Sequence, residues 1–408
     1  MASRYGEPAV SPPSPRLLWV TAEAPHHRRG GGAIRQAYLI DGLARMAEVE
    51  LLVVGRLDDP DTEAVTGGVV ELDDAPPPRR GPWRRRWWDL RRLAAGRPAE
   101  LADRAHQRSA LAIELGRRLA AGLRYDLVHV EHLGLAGVSP PGLGRRLSLG
   151  VQNVPSVMAR HAAALATGTR RRALWRGEEM AALRWERRAA ASTDVVVVVS
   201  DQDGHDLTPG PEVVVAPNGV DTSRWTPTPV PSAPRVVFTG TLDYLPNVDA
   251  VLWLVSEVMP LVRRAVPAAE LEVVGRSPTA SVRAAATGAG VALAADVADT
   301  AGHLAAARVA VVPVRIGSGT RLKALEAMAA ARPVVGTSIG LGGLAVREGE
   351  QALIADRAPD LAQALVRVLG DDALAAGLAA AGRRLVEDRY DWIRIGDEFA
   401  SAITSSLP

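Results

Sequence analysis

Arg321, Lys323 and Glu326 lie close together in the run SGTRLKALE (318–326), and Lys323 is the only lysine in a chain of 408 residues with 48 Lys plus Arg. Two cations behind a Gly-Ser-Gly-Thr loop are groups that hold an anion. The surrounding run, RVAVVPVRIGSGTRLKALEAMAAARPVVG (308–336), reads as strand, glycine loop, helix, strand. The helix is expected to start near Gly319–Thr320 and to stop before Pro333, which has no N–H to continue it. Arg321 and Lys323 then fall in the first turn, where free backbone N–H groups already concentrate positive charge. Each misplaced cation costs about 0.3–1 kcal/mol there unless an anion is bound. A phosphate or diphosphate reverses that sign, because it takes both the N–H groups and the cations. Glu326, one turn on, borders the same ligand. The plainer alternative is a solvated Lys323–Glu326 pair worth about 0.2–0.5 kcal/mol. Retention of one lysine among arginines favours the anion, since a compact ammonium approaches a diphosphate where a planar fork does not fit. The stretch is not a P-loop, because GxxxxGK[ST] is not satisfied.

The elements that position these groups come in two series. RLLWVTA (16–22), VELLVVG (49–55), DLVHV (126–130), LSLGVQN (147–153) and DVVVVVS (194–200) are apolar strands separated by helices rich in Ala and Arg, such as 156–190. After EVVVAPNGVD (212–221) and a proline-rich spacer the alternation resumes, with RVVFTG (235–240), ELEVVG (270–275), GVALAA (290–295), RVAVVPV (308–314), RPVVGT (332–337) and QALIA (351–355). Helices are expected over 246–265 and 320–331. Alternation of two-face-buried strands with helices indicates parallel doubly wound sheets. The chain is therefore read as α/β with two Rossmann-like domains facing a central cleft. Residues 1–15 form a loose tail, 16–207 a first domain and 208–387 a second. A last segment, 388–408, returns to the first domain with Trp392 as its anchor.

Composition bounds the chemistry. A net charge of +2 does not make the molecule a polyanion binder, and nucleic acid is not an expected partner. The absence of cysteine removes disulfides, thiolate metal sites and a cysteine nucleophile together. The proline-rich N-terminus does not read as a signal peptide, and no apolar run reaches the ~18 residues of a membrane span. A cytoplasmic protein is expected. The basic tract PPPRRGPWRRRWWDLRRL places Trp83, Trp87 and Trp88 among arginines. That composition suits either peripheral contact with the inner membrane face or a helix packing its tryptophans on the first domain. Asp59-Pro60-Asp61 has the Asp-x-Asp form of some metal sites but reads as an acidic surface turn, and His26 and His27 as solvated. No metal is assigned. Gly30, Gly31 and Gly32 are contiguous, so GxGxxG is absent and a nicotinamide enzyme is a poor reading.

The run PVRIGSGTRLKALEAMAAARPVVGTSIGLGGL closely resembles the donor-site segment of the retaining GT-B glycosyltransferases, in the large family that includes bacterial mannosyltransferases and sucrose-synthase relatives. VVVAPNGVDTSRW, VVFTGTLDYLPNVDA, DLVHVEHLGLAG and the terminal YDWIRIGDEF fall where that family places similar segments. The resemblance covers almost the whole chain and is strongest over 210–350. It implies transfer of a sugar from a nucleotide diphosphate sugar to a hydroxyl acceptor, with retention of anomeric configuration and without metal or other cofactor. Glu326 would bind the ribose, with Arg321 and Lys323 on the diphosphate. The donor would also meet Gly31, Gly32, Gly317, Ser318, Gly319, Thr320 and Asn218. His132 would lie by the reacting centre, and Arg35, Glu131 and Asn153 on the acceptor side. The chain departs from the family at two places. Position 318 is serine where relatives often carry a glutamate, and the Arg and Lys that many place after the FTG strand are missing. An inactive nucleotide-sugar-binding protein and a GT-B nucleotide-sugar epimerase are the alternatives.

Overall fold

The computed structural model of the chain describes residues 14–28, 30–66, 68–72, 92–93, 95–207, 211–405 and 407. Trp83, Trp87 and Trp88 lie outside the described residues. Two all-parallel sheets form the body. The first holds seven strands in the order β3-β2-β1-β4-β5-β6-β7: β1 (Arg16–Thr21), β2 (Glu48–Val54), β3 (Gly68–Leu72), β4 (Tyr125–Glu131), β5 (Gly144–Val151), β6 (Val195–Val198) and β7 (Glu212–Val215). The second holds six in the order β10-β9-β8-β11-β12-β13: β8 (Arg235–Thr239), β9 (Glu270–Gly275), β10 (Ala292–Ala295), β11 (Val309–Val312), β12 (Val334–Gly336) and β13 (Leu353–Ile354). Both orders reverse direction beside the first strand laid down, β1 or β8. The resulting crevices at the strand carboxyl ends are where such sheets bind ligands.

One boundary is corrected. The strand 212–215, assigned to the second domain, is the edge of the first sheet, with Val195 opposite Glu212 and Val198 opposite Val215. The crossing falls later, in the proline-rich segment, which cannot donate to a ladder. The return crossing runs beside it: Val220 N donates to Tyr390 O at 2.8 Å and Trp392 N to Val220 O at 3.3 Å. Helix Trp392–Ser405 then packs on helix Gly31–Ala44. Trp392 is buried and stacked on Tyr38 at 5.4 Å.

Helix Leu245–Ala265 is apolar enough along its length to cross a membrane. Here that character serves the second core, where Ala250, Val251, Leu254, Val258 and Val262 are fully buried. A π-turn over Leu254–Val258 interrupts it.

A second correction concerns His27 and Asp59. His27 is not solvated: its Nδ1 lies 2.7 Å from Asp59 Oδ2 and its Nε2 2.7 Å from Asp41 Oδ2. Asp59 is only 4% exposed and also accepts from Thr62 Oγ1. Asp61 is exposed and, with His27 and Asp59, completes a geometric cluster, but both imidazole nitrogens are already engaged. Burial alone would push His27 down; hydrogen bonds and charge from Asp41 and Asp59 outweigh it and hold the imidazole up at about 9. A raised folded pKa gives stability that is complete below the ordinary value of 6.5 and is lost as pH rises through about 9. The gap in unfolding midpoint between wild type and His27→Gln is therefore expected to shrink between pH 6 and pH 10 in urea titrations. A gap independent of pH would mean that His27 is neutral.

Candidate active site

The chain leaves β11 through a loop ending at Thr320 and enters helix Leu322–Ala329. Arg321 is the residue before that helix, with an extended backbone (φ −100°, ψ 109°), so the helix starts later than the sequence suggested. Lys323 is in its first turn. Gly319 has a φ of +76°, and a Cβ there would meet Val199 Cγ2 at 2.8 Å and Gln152 O at 3.0 Å, so only glycine fits.

Lys323 reaches across to the end of β8. Its Nζ lies 4.0 Å from the Phe238 ring centroid, donates to Asn247 Oδ1 at 2.7 Å, and sits 2.7 Å from where a Cβ on Gly240 would be. Asn247 is oriented by its own Nδ2, which donates to Thr241 O at 2.8 Å. The cation missing after the FTG strand is thus supplied in space from a different element. Phe238 and Asn247 were missed in the sequence; the only local sign was their place in FTG and LPN. Burial first, and then the neighbouring Arg321, push Lys323 down to about 7, with Glu326 opposing.

Arg321 donates through Nη1 to Ser318 O, while its Nε and Nη2 are buried without a hydrogen-bond partner. Two unpaired guanidinium nitrogens beside an ammonium are expensive unless a ligand completes them. Burial also pushes Glu326 up, against the charges of Lys323 and Arg224.

The rest of the glycine loop bridges the domains. Ser318 Oγ accepts from Val154 N at 2.6 Å, and Gly319 N donates to Asp203 Oδ1 at 3.1 Å. Gly317 O lies 3.1 Å from His161 Nδ1. Asn218 is spent on Thr320, donating through its N to Oγ1 and through Nδ2 to the carbonyl, both at 3.1 Å. Ser318→Glu, which restores the relatives' residue, is therefore expected to cost about 1–3 kcal/mol of stability by overpacking this bridge. Equal unfolding midpoints would show that the position has room for a glutamate.

On the first domain, Gly31 faces the start of helix Leu322–Ala329: a Cβ there would meet Leu322 Cδ1 at 2.7 Å. A Cβ on Gly32 would meet Glu23 Oε2 and Gln152 Oε1, each at 2.7 Å. His132 has a φ of +80°, rare outside glycine, and its Nε2 stands 3.4 Å from Glu23 Oε2 with no hydrogen-bond partner. Glu23, which no sequence signal marked, is thus the carboxylate beside His132. Asn153 is half-buried just past the end of β5.

Two candidates on the acceptor side are occupied elsewhere. Glu131 is 1% exposed and accepts from Gln152 Nε2 and His129 Nε2, both at 2.9 Å. Burial alone would raise it, but His129, His132 and Arg35 hold it down at about 2. Arg35 is buried and donates to Ala216 O at 2.5 Å and Pro217 O at 3.2 Å. Arg35, on helix Gly31–Ala44, is thus spent on backbone carbonyls remote in sequence, and Glu131, at the end of β4, on the side chains of His129 and Gln152.

Two family models match the chain: Glycosyltransferase Family 4 over residues 29–224, and Glycosyl transferases group 1 over 233–371. No curated protein matches it. Among solved structures, sucrose-phosphate synthase from Thermosynechococcus elongatus superposes with a TM-score of 0.69 at 18% identity, covering 96% of this chain and 98% of that one. Anabaena HepE in complex with UDP and glucose gives 0.67 at 13%, covering 96% and 100%. WaaG, a glycosyltransferase involved in lipopolysaccharide biosynthesis, gives 0.64 at 15%, also covering 96% and 100%. At these identities the superpositions speak for the fold, and the two models, one on each domain, speak for the class. With family models matching both domains, the chain belongs to the GT-B glycosyltransferases that use nucleotide sugars, in the family 4 and group 1 branch.

Proposed function

We propose that the protein transfers a hexosyl group from a nucleotide diphosphate sugar to a hydroxyl acceptor with retention of configuration and without a metal. The observation that carries this reading is the pair of unpartnered nitrogens on Arg321 beside the half-buried ammonium of Lys323. As the anomeric carbon–oxygen bond to the diphosphate breaks, negative charge grows on the departing oxygens. Arg321, Lys323 and the N–H groups of the donor helix are placed to take up that charge, the work a divalent cation does elsewhere. The acceptor oxygen attacks from the same face, and its proton goes to the departing phosphate oxygen. Glu326 holds the ribose, and His132 with Glu23 lines the acceptor side. No cofactor takes part. UDP is the first nucleotide to test, since HepE is solved with it.

Thermal-shift titration with UDP, GDP, dTDP and ADP tests the donor site. A ligand at 100 times its Kd stabilises by about 2.7 kcal/mol. One nucleotide is expected to shift the wild type and not Lys323→Ala; no shift with any of them would sink the donor reading. Proton NMR of the product's anomeric coupling then separates retention from inversion, and transfer from epimerisation. Nucleotide binding without turnover would favour the inactive-binder alternative, for which the serine at 318 is the motive.

A further inference from the structure

The second sheet reaches the first domain at one further point. β9 ends at Gly275, packed so tightly on the end of β8 that a Cβ there would lie 1.7 Å from Gly240 O. Gly240 is also where Lys323 Nζ arrives, so the residue after Gly275 starts close to the ammonium. That residue, Arg276, has its backbone held on both sides. Its carbonyl accepts from Leu242 N at 2.8 Å, and the following residue donates from Ser277 N to Asp296 Oδ1 at 2.7 Å. Ser277 has a φ of +55°. Such a conformation costs energy outside glycine and clusters at ligand clamps and active sites.

From there the side chain crosses to the other domain. Arg276 Nη2 lies 3.7 Å from the point where a Cβ on Gly30 would stand, and Gly30 opens the glycine loop of the first domain. Glu23 Oε1 lies 3.5 Å from the same point. Arg276 is exposed, and its guanidinium makes no hydrogen bond or ion pair among the described residues. The cations already assigned leave work for it. Arg321 spends Nη1 on Ser318 O in its own loop, and Lys323 is only partly charged near neutral pH before a ligand arrives. The Glu23 carboxylate at the edge of the glycine loop repels an anion unless a cation faces it. A guanidinium keeps its charge and offers a planar fork that matches a phosphate. Orientation follows from Glu326. With the ribose held on helix Leu322–Ala329 of the second domain, the distal phosphate points toward the first domain, where Arg276 ends.

Given the nucleotide-sugar reading above, on which this rests, we infer that Arg276 is a specificity-determining residue of the donor site. It clamps the distal phosphate across the cleft against the glycine loop 30–32, and so selects nucleoside diphosphates over monophosphates. The test is isothermal titration of the full chain with UDP, GDP, dTDP and ADP and with their monophosphates. For the diphosphate that binds best, Arg276→Gln is expected to raise Kd roughly 10–100-fold, the scale of one lost hydrogen-bonded charge contact. Its monophosphate should bind both proteins within about twofold of each other, because no distal phosphate is there to lose. Arg276→Lys should recover only part of the loss, since an ammonium lacks the fork. Glu23→Gln should tighten the diphosphate about 2–5-fold by removing a nearby exposed charge. Undiminished diphosphate affinity in Arg276→Gln overturns the inference, as does an equal loss for both nucleotides. A matching loss in Glu23→Gln overturns it too, because Arg276 would then be only a partner of Glu23. These outcomes leave the donor reading standing, whereas a wild type that binds none of the diphosphates removes that reading and Arg276's role with it.

Discussion

Lys323→Ala is expected to lower kcat/KM for transfer by roughly 10²–10³-fold, the scale seen when one preorganised donor to developing negative charge is removed. The argument is geometric. The ammonium is fixed by Asn247 Oδ1 at 2.7 Å and the Phe238 ring at 4.0 Å, and it fills the space a side chain at Gly240 would take. Lys323→Arg is not expected to rescue activity, because a planar guanidinium cannot enter that space with the same contacts. The pH dependence has a definite sign. In the free protein Lys323 is pushed down from 10.5 to about 7, so at higher pH it is neutral before a ligand arrives. Diphosphate binding needs it charged and must take up a proton, so affinity should fall as pH rises above about 7. Isothermal titration in buffers of different ionisation enthalpy measures that uptake; a proton count of zero at pH 8 would show that the lysine is already charged.

The same shift makes a claim about stability. Between about 7 and 10.5 the unfolded chain binds a proton at this lysine that the folded chain does not, so this group's contribution favours the fold more as pH rises. At and below neutral pH its burial is a cost. Lys323→Met is therefore expected to raise the unfolding midpoint of the free protein while abolishing nucleotide binding, the usual conflict between a site and its scaffold. Loss of both would mean that the lysine is structural.

Gly42→Val should be severely damaging although it lies outside the site. A Cβ at position 42 would lie 2.2 Å from Gly396 O and 2.4 Å from Gly396 C, which is backbone, so no side-chain rotation relieves it. Helices Gly31–Ala44 and Trp392–Ser405 touch at these two glycines. Separating them would pull Trp392 off Tyr38 and Asp397 off Arg45. The expected loss is about 3 kcal/mol or more, at the upper end for overpacking. Gly116→Ala is the control, since a Cβ there meets nothing within 4 Å in helix Ala105–Ala120. It should stabilise by up to about 1 kcal/mol through helix propensity. Equal behaviour of the two variants in urea unfolding would refute the close-packing argument.

Helix Trp392–Ser405 also carries the chain back beside Val220, so its displacement should loosen the crossing between the domains. Gly42→Val is thus expected to reduce transfer at temperatures where the protein is still folded. Unchanged activity at such temperatures would show that the crossing holds without the helix.

The sequence by itself determined what depends on spacing along the chain. Apolar runs alternating with helical ones specify two parallel sheets. A glycine loop before Leu322 with Arg321 and Lys323 on either side of it reads as an anion site, because a helix N-terminus is a local object. Lys323 was identifiable as special from composition alone. Tertiary structure decided everything that depends on a partner remote in sequence. Asn247 lies 76 positions from the lysine it orients, and Val154 lies 164 from the Ser318 hydroxyl it binds. Asp41 and Asp59, 14 and 32 positions from His27, turn a histidine read as solvated into an ion-paired one. Strand 212–215 belongs to the sheet whose open edge it meets, which spacing alone does not reveal. Burial and hydrogen-bond satisfaction are properties of three-dimensional neighbourhoods. For this reason the kind of chemistry was legible in the residues, whereas the side chains free to perform it were fixed only when the two domains met.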